Sequence, residues 1–171
     1  MQRSPLTDSE ISTITKLLKK LEPGALPFDI FHQLARITAL PIIETVPLRR
    51  RNGKTEVLLL AREANDPIWP GALHVPGTVL RGSDQAGSFN DAFGRINKEM
   101  QGATAGTPVH VMNILNRSNR GLEASAIYWI ECLGEVPGGT FYPAEKLPEE
   151  LVDSQRQFIS RAVRAFEKSL V

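Results

Sequence analysis

The sequence lacks the marks of several common protein classes. It holds a single cysteine, Cys132, in 171 residues. No intramolecular disulfide can form, and the apolar setting AIYWIECLG suits a buried thiol. The three histidines (His32, His74 and His110) lie far apart, with neither cysteine partners nor HxxxH spacing, which argues against a zinc site. Neither sign of charge is in excess: 20 basic residues against 19 acidic leave a net charge of +1. Such a balance provides no long-range attraction for nucleic acid or an anionic membrane, so neither is expected as a partner. No apolar run reaches the roughly 20 residues needed to span a bilayer. The opening MQRSPLTDSE has no apolar core of a secretory leader, and the expected location is cytoplasmic.

What is present is an ordinary globular composition, 42% hydrophobic and 23% charged, at a length suited to one domain. TDSEISTITKLLKKLEPG predicts a helix. Thr7 or Ser9 caps it, Ile11, Ile14, Leu17, Leu18 and Leu21 form its apolar stripe, and Pro23-Gly24 ends it. PFDIFHQLARIT predicts a second, shorter helix with Phe28, Phe31, Leu34 and Ala35 on one side. Two strand-like runs then flank Asn52-Gly53, a strong hairpin signal, and RRRNGK reads as the hairpin tip. A short strand, LHV, precedes the turn VPGT. A helix is expected over about 88 to 101, with Ser88 or Asn90 as its cap and Gly102 as its stop. Two long strand candidates, TPVHVMNILNR and EASAIYWIECLG, join at SNRG. GGTFYP adds a short strand, and a final helix turns Leu151, Phe158, Ile159, Ala162, Ala165 and Phe166 inward. A mostly antiparallel or mixed sheet with helices on its faces suits this order.

The segment LHVPGTVLRGSDQAGSFNDAFGRINKEMQG (residues 73 to 102) carries the chemistry. Gly77 and Gly82 permit tight turns and close approach to a ligand. Backbone N–H groups there and at the helix start can meet phosphate oxygens. On the helix, Phe89, Phe93, Ile96 and Met100 make one stripe, and Asp91, Arg95 and Glu99 fall at i, i+4 and i+8 on another. The triplet reads either as a solvated face with weak internal ion pairs or as part of a divalent-metal site in which Glu99 works with Asp84 or Asp91.

The whole segment resembles the Nudix family box. Gly77-Thr78 stands at the Gly-Gly pair, Asp84 at the first Glu, and Arg95, Glu99 and Gly102 match the helix portion RINKEMQG. The flanks PIWPGALHVPGT and GTFYPAEKLPEELVDSQRQFISRA resemble the family's lead-in and closing segments. The likeness covers about 38 to 171, leaving 1 to 37 as a helical extension. Several positions depart: Thr78 replaces the second Gly, Asp84 is one methylene shorter than Glu, ten residues separate Asp84 from Arg95 where the family has seven, and Ile96 and Met100 stand where the family has Glu. DAFGRINKE is similar to the GDP-mannose mannosyl hydrolase branch.

The resemblance implies an α/β/α sandwich around a mixed sheet. It also implies hydrolysis of a nucleoside diphosphate linked to another group, with Mg²⁺ (or Mn²⁺) held by helix carboxylates. On that expectation Glu99 is the metal ligand, with Asp84 and Asp91 assisting, or Glu123 and Glu135 entering from loops. Arg95 orients a carboxylate or contacts phosphate. Gly77, Thr78, Arg62 and Trp69 line the site for a phosphorylated small molecule. Trp69 either stacks on a base or covers the core, and His74 is either a general base or structural. Trp129 is expected in the core and Tyr128 toward the cleft. With so few carboxylates left, two other readings stand beside hydrolysis: a non-catalytic domain that binds a nucleotide or metabolite, and an interaction or homodimerisation module built on the N-terminal helices.

Overall fold

Asn52 and Gly53 both take positive φ (51° and 77°), the geometry a two-residue hairpin turn requires. They join β1 (Leu40–Arg51) to β2 (Lys54–Ala61), as the sequence predicts. The structure, a computed structural model, describes residues 5–24 and 26–170. Before the hairpin come α1 (Asp8–Leu18) and α2 (Phe28–Ile37). After it come β3 (Leu73–His74), β4 (Gly77–Val79), α3 (Asn90–Glu99), β5 (Thr104–Ser118), β6 (Gly121–Cys132), β7 (Gly139–Pro143) and α4 (Asp153–Ser169).

The strands form one mixed sheet whose main path is β3-β2-β1-β6-β5, with β4 on β1 and β7 on β2. β1 organises it. One edge of β1 pairs in parallel with β6 from Leu40 to Leu48. The other edge changes partner. Ile42, Ile43 and Glu44 pair with β4, and Leu48 to Arg51 pair with β2. The ladder is interrupted between those two stretches, and Thr45 N–H donates to the Pro76 carbonyl there at 2.9 Å. The polar cavity described below lies at this change of partner.

Alternation along β1 sends its side chains to two helical layers. Val46 and Leu48 join Val57, Leu59 and the α4 residues Phe158, Ile159, Ala162 and Phe166. Leu40 and Ile42 lie on that same face and meet Ala35 and Phe31 of α2. Ile43 points the opposite way, to Ala92, Ile96 and Met100 of α3. The result is the expected α/β/α sandwich.

One local expectation is not met. The cap of α3 is neither Ser88 nor Asn90. Phe89 holds the cap position with no side-chain bond, while Ser88 Oγ accepts only from Asn90 N–H at 3.4 Å. The near carboxylate, Asp91, instead accepts from Gln85 N–H at 2.6 Å and ties down the preceding loop. The stripe on α1 is present but uncovered. Thr7 and Glu10 form a full capping box, yet no residue of the helix is buried, and Ile11, Ile14, Leu17 and Leu18 are exposed. No helix among the described residues is long and apolar enough to cross a membrane.

Candidate functional site

The loop from β4 to α3 is held by one side chain. Arg95, one turn before the end of α3, places Nη1 2.6 Å from Asp84 Oδ1 and Nη2 2.9 Å from Oδ2. It also donates to Thr78 Oγ1 and to the Val79 carbonyl, each at 3.2 Å. Asp84 Oδ2 further accepts from Arg81 N–H at 2.9 Å. These bonds hold the Asp84 carboxyl well below its ordinary range, at about 2, with the Arg95 hydrogen bond as the largest cause. A planar guanidinium facing a carboxylate in this two-point way is strong and directional. Arg95 and Asp84 thus occupy one another, and Thr78 turns its hydroxyl toward Arg95.

The second part lies at the partner change in β1. Glu44 is the one acidic residue in the apolar run PIIETVPL. It is 5% exposed, and its Oε2 has no hydrogen-bond partner. Burial pushes its carboxyl up to about 8; Arg120 and Arg62 pull it down, and Glu123 and Glu99 push it further up. At neutral pH Glu44 is therefore mostly protonated and can donate a hydrogen bond. Gly77 lies directly against it, since a Cβ there would collide with Glu44 Oε2. This is where Gly77 earns its place: only a residue without a side chain lets β4 pass.

Glu44, Arg62, His74, Gly77 and Arg120 line a cavity of about 40 Å³, room for about one water. Arg62 donates to Asp66 through Nη1 at 2.9 Å, but its buried Nε has no partner. Asp66 also accepts from Ile68 and Trp69 N–H, which shapes the loop. Arg120 is paired with Glu123, itself buried and bonded to Ser118. The guanidinium carbons of Arg62 and Arg120 each stand 5.0 Å from the centre of the Trp69 ring. His74 Nδ1 lies 2.7 Å from the Val75 carbonyl, and burial lowers its pKa to about 4, leaving the ring neutral.

Glu99 sits at the end of α3. Much of the residue is exposed. Its carboxyl is nevertheless crowded by protein, which raises its pKa, while Arg62 opposes the rise. Glu99 does not line the cavity, but it interacts electrostatically with Arg62 and Glu44. Asp91 is exposed and tied to Gln85. Glu99, Asp84 and Asp91 are not brought together. Among the described residues no three His, Cys, Asp or Glu side chains gather into a group able to hold a metal. Glu135 is drawn away to Arg49 at 2.8 Å, and Arg49 also pairs with Glu56 and stacks on Phe141. Arg49 is accordingly part of the structure and not of a solvated tip.

A hard dication needs several anionic oxygens free of other partners. Here Glu123 is paired with Arg120 and Asp84 with Arg95, and the buried Glu44 is faced by two guanidinium groups. The residues do not fit Mg²⁺ or Mn²⁺. Tyr128 packs edge-on to Phe93 and His110, and Trp129 packs against Phe166 over α4. Two site residues, Glu44 and Arg120, escape the sequence reading. A lone carboxylate inside an apolar strand was the available signal for the first, whereas Arg120 sits in a turn that looks like any other.

No family model and no curated protein matches the sequence. Solved structures do. The NUDIX domain of Shewanella oneidensis NrtR, complexed with ADP ribose, superposes with a TM-score of 0.59 at 19% identity, over 94% of this chain and 99% of that one. A mutT/nudix family protein from Listeria innocua gives 0.59 at 16% identity, over 78% and 98%. The longer NrtR chain gives 0.60 at 17% identity, over 75% of this chain; the present chain spans 64% of its length. The chain therefore has the Nudix fold. One expectation is overturned here. NrtR has been solved complexed with a 27mer DNA, at a TM-score of 0.59 to this chain, so the exclusion of nucleic acid does not stand for this fold. Net charge averages over the whole surface and a local patch does not register in it.

Proposed function

We propose that this chain is a Nudix-fold domain that binds a phosphorylated, nucleotide-type small molecule at the Arg62–Arg120 cavity and does not turn it over through a metal. One observation carries the reading: Arg62 Nε and Glu44 Oε2 are both buried, both lack a protein partner, and both belong to residues that line the same cavity. Buried polar groups are normally satisfied, and an unsatisfied pair facing one space calls for an occupant. A guanidinium N–H and a protonated carboxyl both donate, so that occupant is an acceptor oxygen. The cavity admits one such oxygen from a phosphate or pyrophosphate whose bulk rests at the mouth, near Trp69 and Arg120. Gly77 supplies the close backbone wall. The ADP ribose bound by the NrtR NUDIX domain supplies the first probe to try.

A hydrolase reading keeps one observation in its favour, the electrostatic interaction of Glu99 with Arg62 and Glu44. The two separate in one experiment. ADP-ribose binding is measured by calorimetry in EDTA. Turnover of nucleotide sugars, dinucleotides and nucleoside triphosphates is measured with Mg²⁺ and Mn²⁺, for wild type and Glu99→Gln. Binding without metal and no turnover in either protein is expected. Turnover that falls at least about a hundredfold in Glu99→Gln, about 2.7 kcal/mol of transition-state stabilisation, would establish the hydrolase instead.

A further inference from the structure

The floor of the Arg62 cavity continues under the N-terminal extension. Register fixes the geometry. Ile42 faces Val79 and Glu44 faces Gly77 across the β1–β4 ladder. Directly paired residues present their side chains on the same face, so Glu44, Ile42 and Val79 share one surface with α2. Thr78 turns to the opposite face, toward Arg95. A second cavity, of about 410 Å³, lies against Gly77 and Val79 and is closed by Pro23, Leu26, Phe31 and Leu80, with Arg81 at its edge. Gly77, Thr78 and Val79 line both cavities.

The two differ in chemistry. The small cavity presents unsatisfied donors, whereas the large one is walled mainly by aliphatic and aromatic side chains. The large volume falls within the roughly 300–1,000 Å³ of small-molecule sites. Its outer wall is itself held in place. Gly24, at φ 88°, fits so closely over the loop that a Cβ would stand 3.0 Å from Ser83 Oγ and 3.1 Å from Arg81 Cδ. Arg81 and Asp84 close that loop with two hydrogen bonds, and Arg95 anchors Asp84 to α3. The mouth of an apolar pocket is thus fastened beside a polar one along a single strand.

We infer that the cavity between the N-terminal extension and β4 is the subsite for the flat heteroaromatic base of the ligand whose phosphate end meets Arg62 and Arg120. The inference rests on the proposed binding function and adds its specificity element. A base offers two apolar faces and a polar edge, matching Leu26, Phe31 and Leu80 around the ring and Arg81 at the rim. In this assignment Pro23, Gly24, Leu26 and Phe31 are ligand-binding parts of the domain.

The test uses ADP-ribose and the full chain. Leu26 is 37% exposed and lies outside the buried core clusters, so changing it leaves the core intact. Leu26→Trp fills the cavity and Leu26→Glu makes its wall polar; thermal melts confirm that each variant folds. Both are expected to weaken ADP-ribose binding about tenfold or more. In wild type, nuclear Overhauser contacts are expected from adenine H2 and H8 to the Leu26 and Leu80 methyl groups. An unchanged Kd in both variants, or adenine protons without contacts to either leucine, overturns the base subsite and leaves the phosphate site standing. No ADP-ribose binding to wild type overturns both.

Discussion

The loop-helix around Arg95 and the cavity around Arg62 each hold a guanidinium beside carboxylates, yet they are finished to different degrees. Arg95 spends its donors on Asp84, Thr78 and Val79, and Asp84 in turn is satisfied twice over. Around Arg62, a buried guanidinium Nε and a buried carboxyl oxygen have no partner at all. A satisfied buried network rigidifies, while an unsatisfied one carries a cost that a bound group can remove. In the box segment, the most recognisable part of the sequence, Arg95 braces the loop between β4 and α3 through Asp84, Thr78 and Val79. The buried nitrogen left without a protein partner, Arg62 Nε, lies just past the end of β2.

That contrast can be broken from either side. The largest expected effect is on binding. Arg62→Ala should weaken ADP-ribose by about a hundredfold, the scale of a lost charged hydrogen bond; it also takes one partner from Asp66, which keeps its bonds from Ile68 and Trp69 N–H, so its stability loss should be smaller than that of Arg95→Ala. Arg95→Ala should do the opposite in kind. It strands Asp84 and frees the loop, so urea unfolding should show a loss of about 2 kcal/mol. The same pair has an acid signature. The folded pKa of Asp84, about 2, lies below its ordinary value of 3.8. Its contribution is full above about pH 4 and disappears as pH falls toward 2, so an Arg95→Ala melt should converge on wild type there.

Glu44→Gln should give the smallest change, near pH 5, and its effect should grow as pH rises through neutrality toward 8. The folded Glu44 pKa of about 8 exceeds its ordinary value of 4.5, so the native state binds the extra proton between them. Stability therefore falls as pH rises through that window. Arg120, Glu123, Arg62 and Glu99 all act on this carboxyl, and the first three line or border the cavity. Glutamine, which does not titrate, should melt within about 1 °C of wild type at pH 5 and about 3–5 °C above it at pH 9. Equal melts at both pH values would show that Glu44 is ionised in the native state, and would remove it as a donor to the ligand.

Local signals were legible where one short stretch decides the outcome. Asn52-Gly53 dictated its hairpin because both residues accept positive φ. The spacing of Phe158, Ile159, Ala162 and Phe166 fixed the buried side of α4, and all four are 2% exposed or less. The stripe of α1 was equally legible, but periodicity says only that a helix has an apolar side, not that the fold will cover it. The box resemblance pointed to the correct sandwich and named Arg95, Asp84 and Thr78. It could not say that Arg95 binds both of the others, because a spacing pattern holds no information on which donor takes which acceptor.

What the sequence determined by itself was the set and order of elements, through periodicity, caps and turns that act over a few residues. What only the tertiary structure decided was the site. Glu44, Arg62, Gly77 and Arg120 come from four separate stretches, and they meet because β1 exchanges β4 for β2 along one edge. The chemistry of Glu44 follows from that meeting. A carboxyl in a strand is ordinary until long-range pairing buries it, and its elevated pKa is the result of that burial.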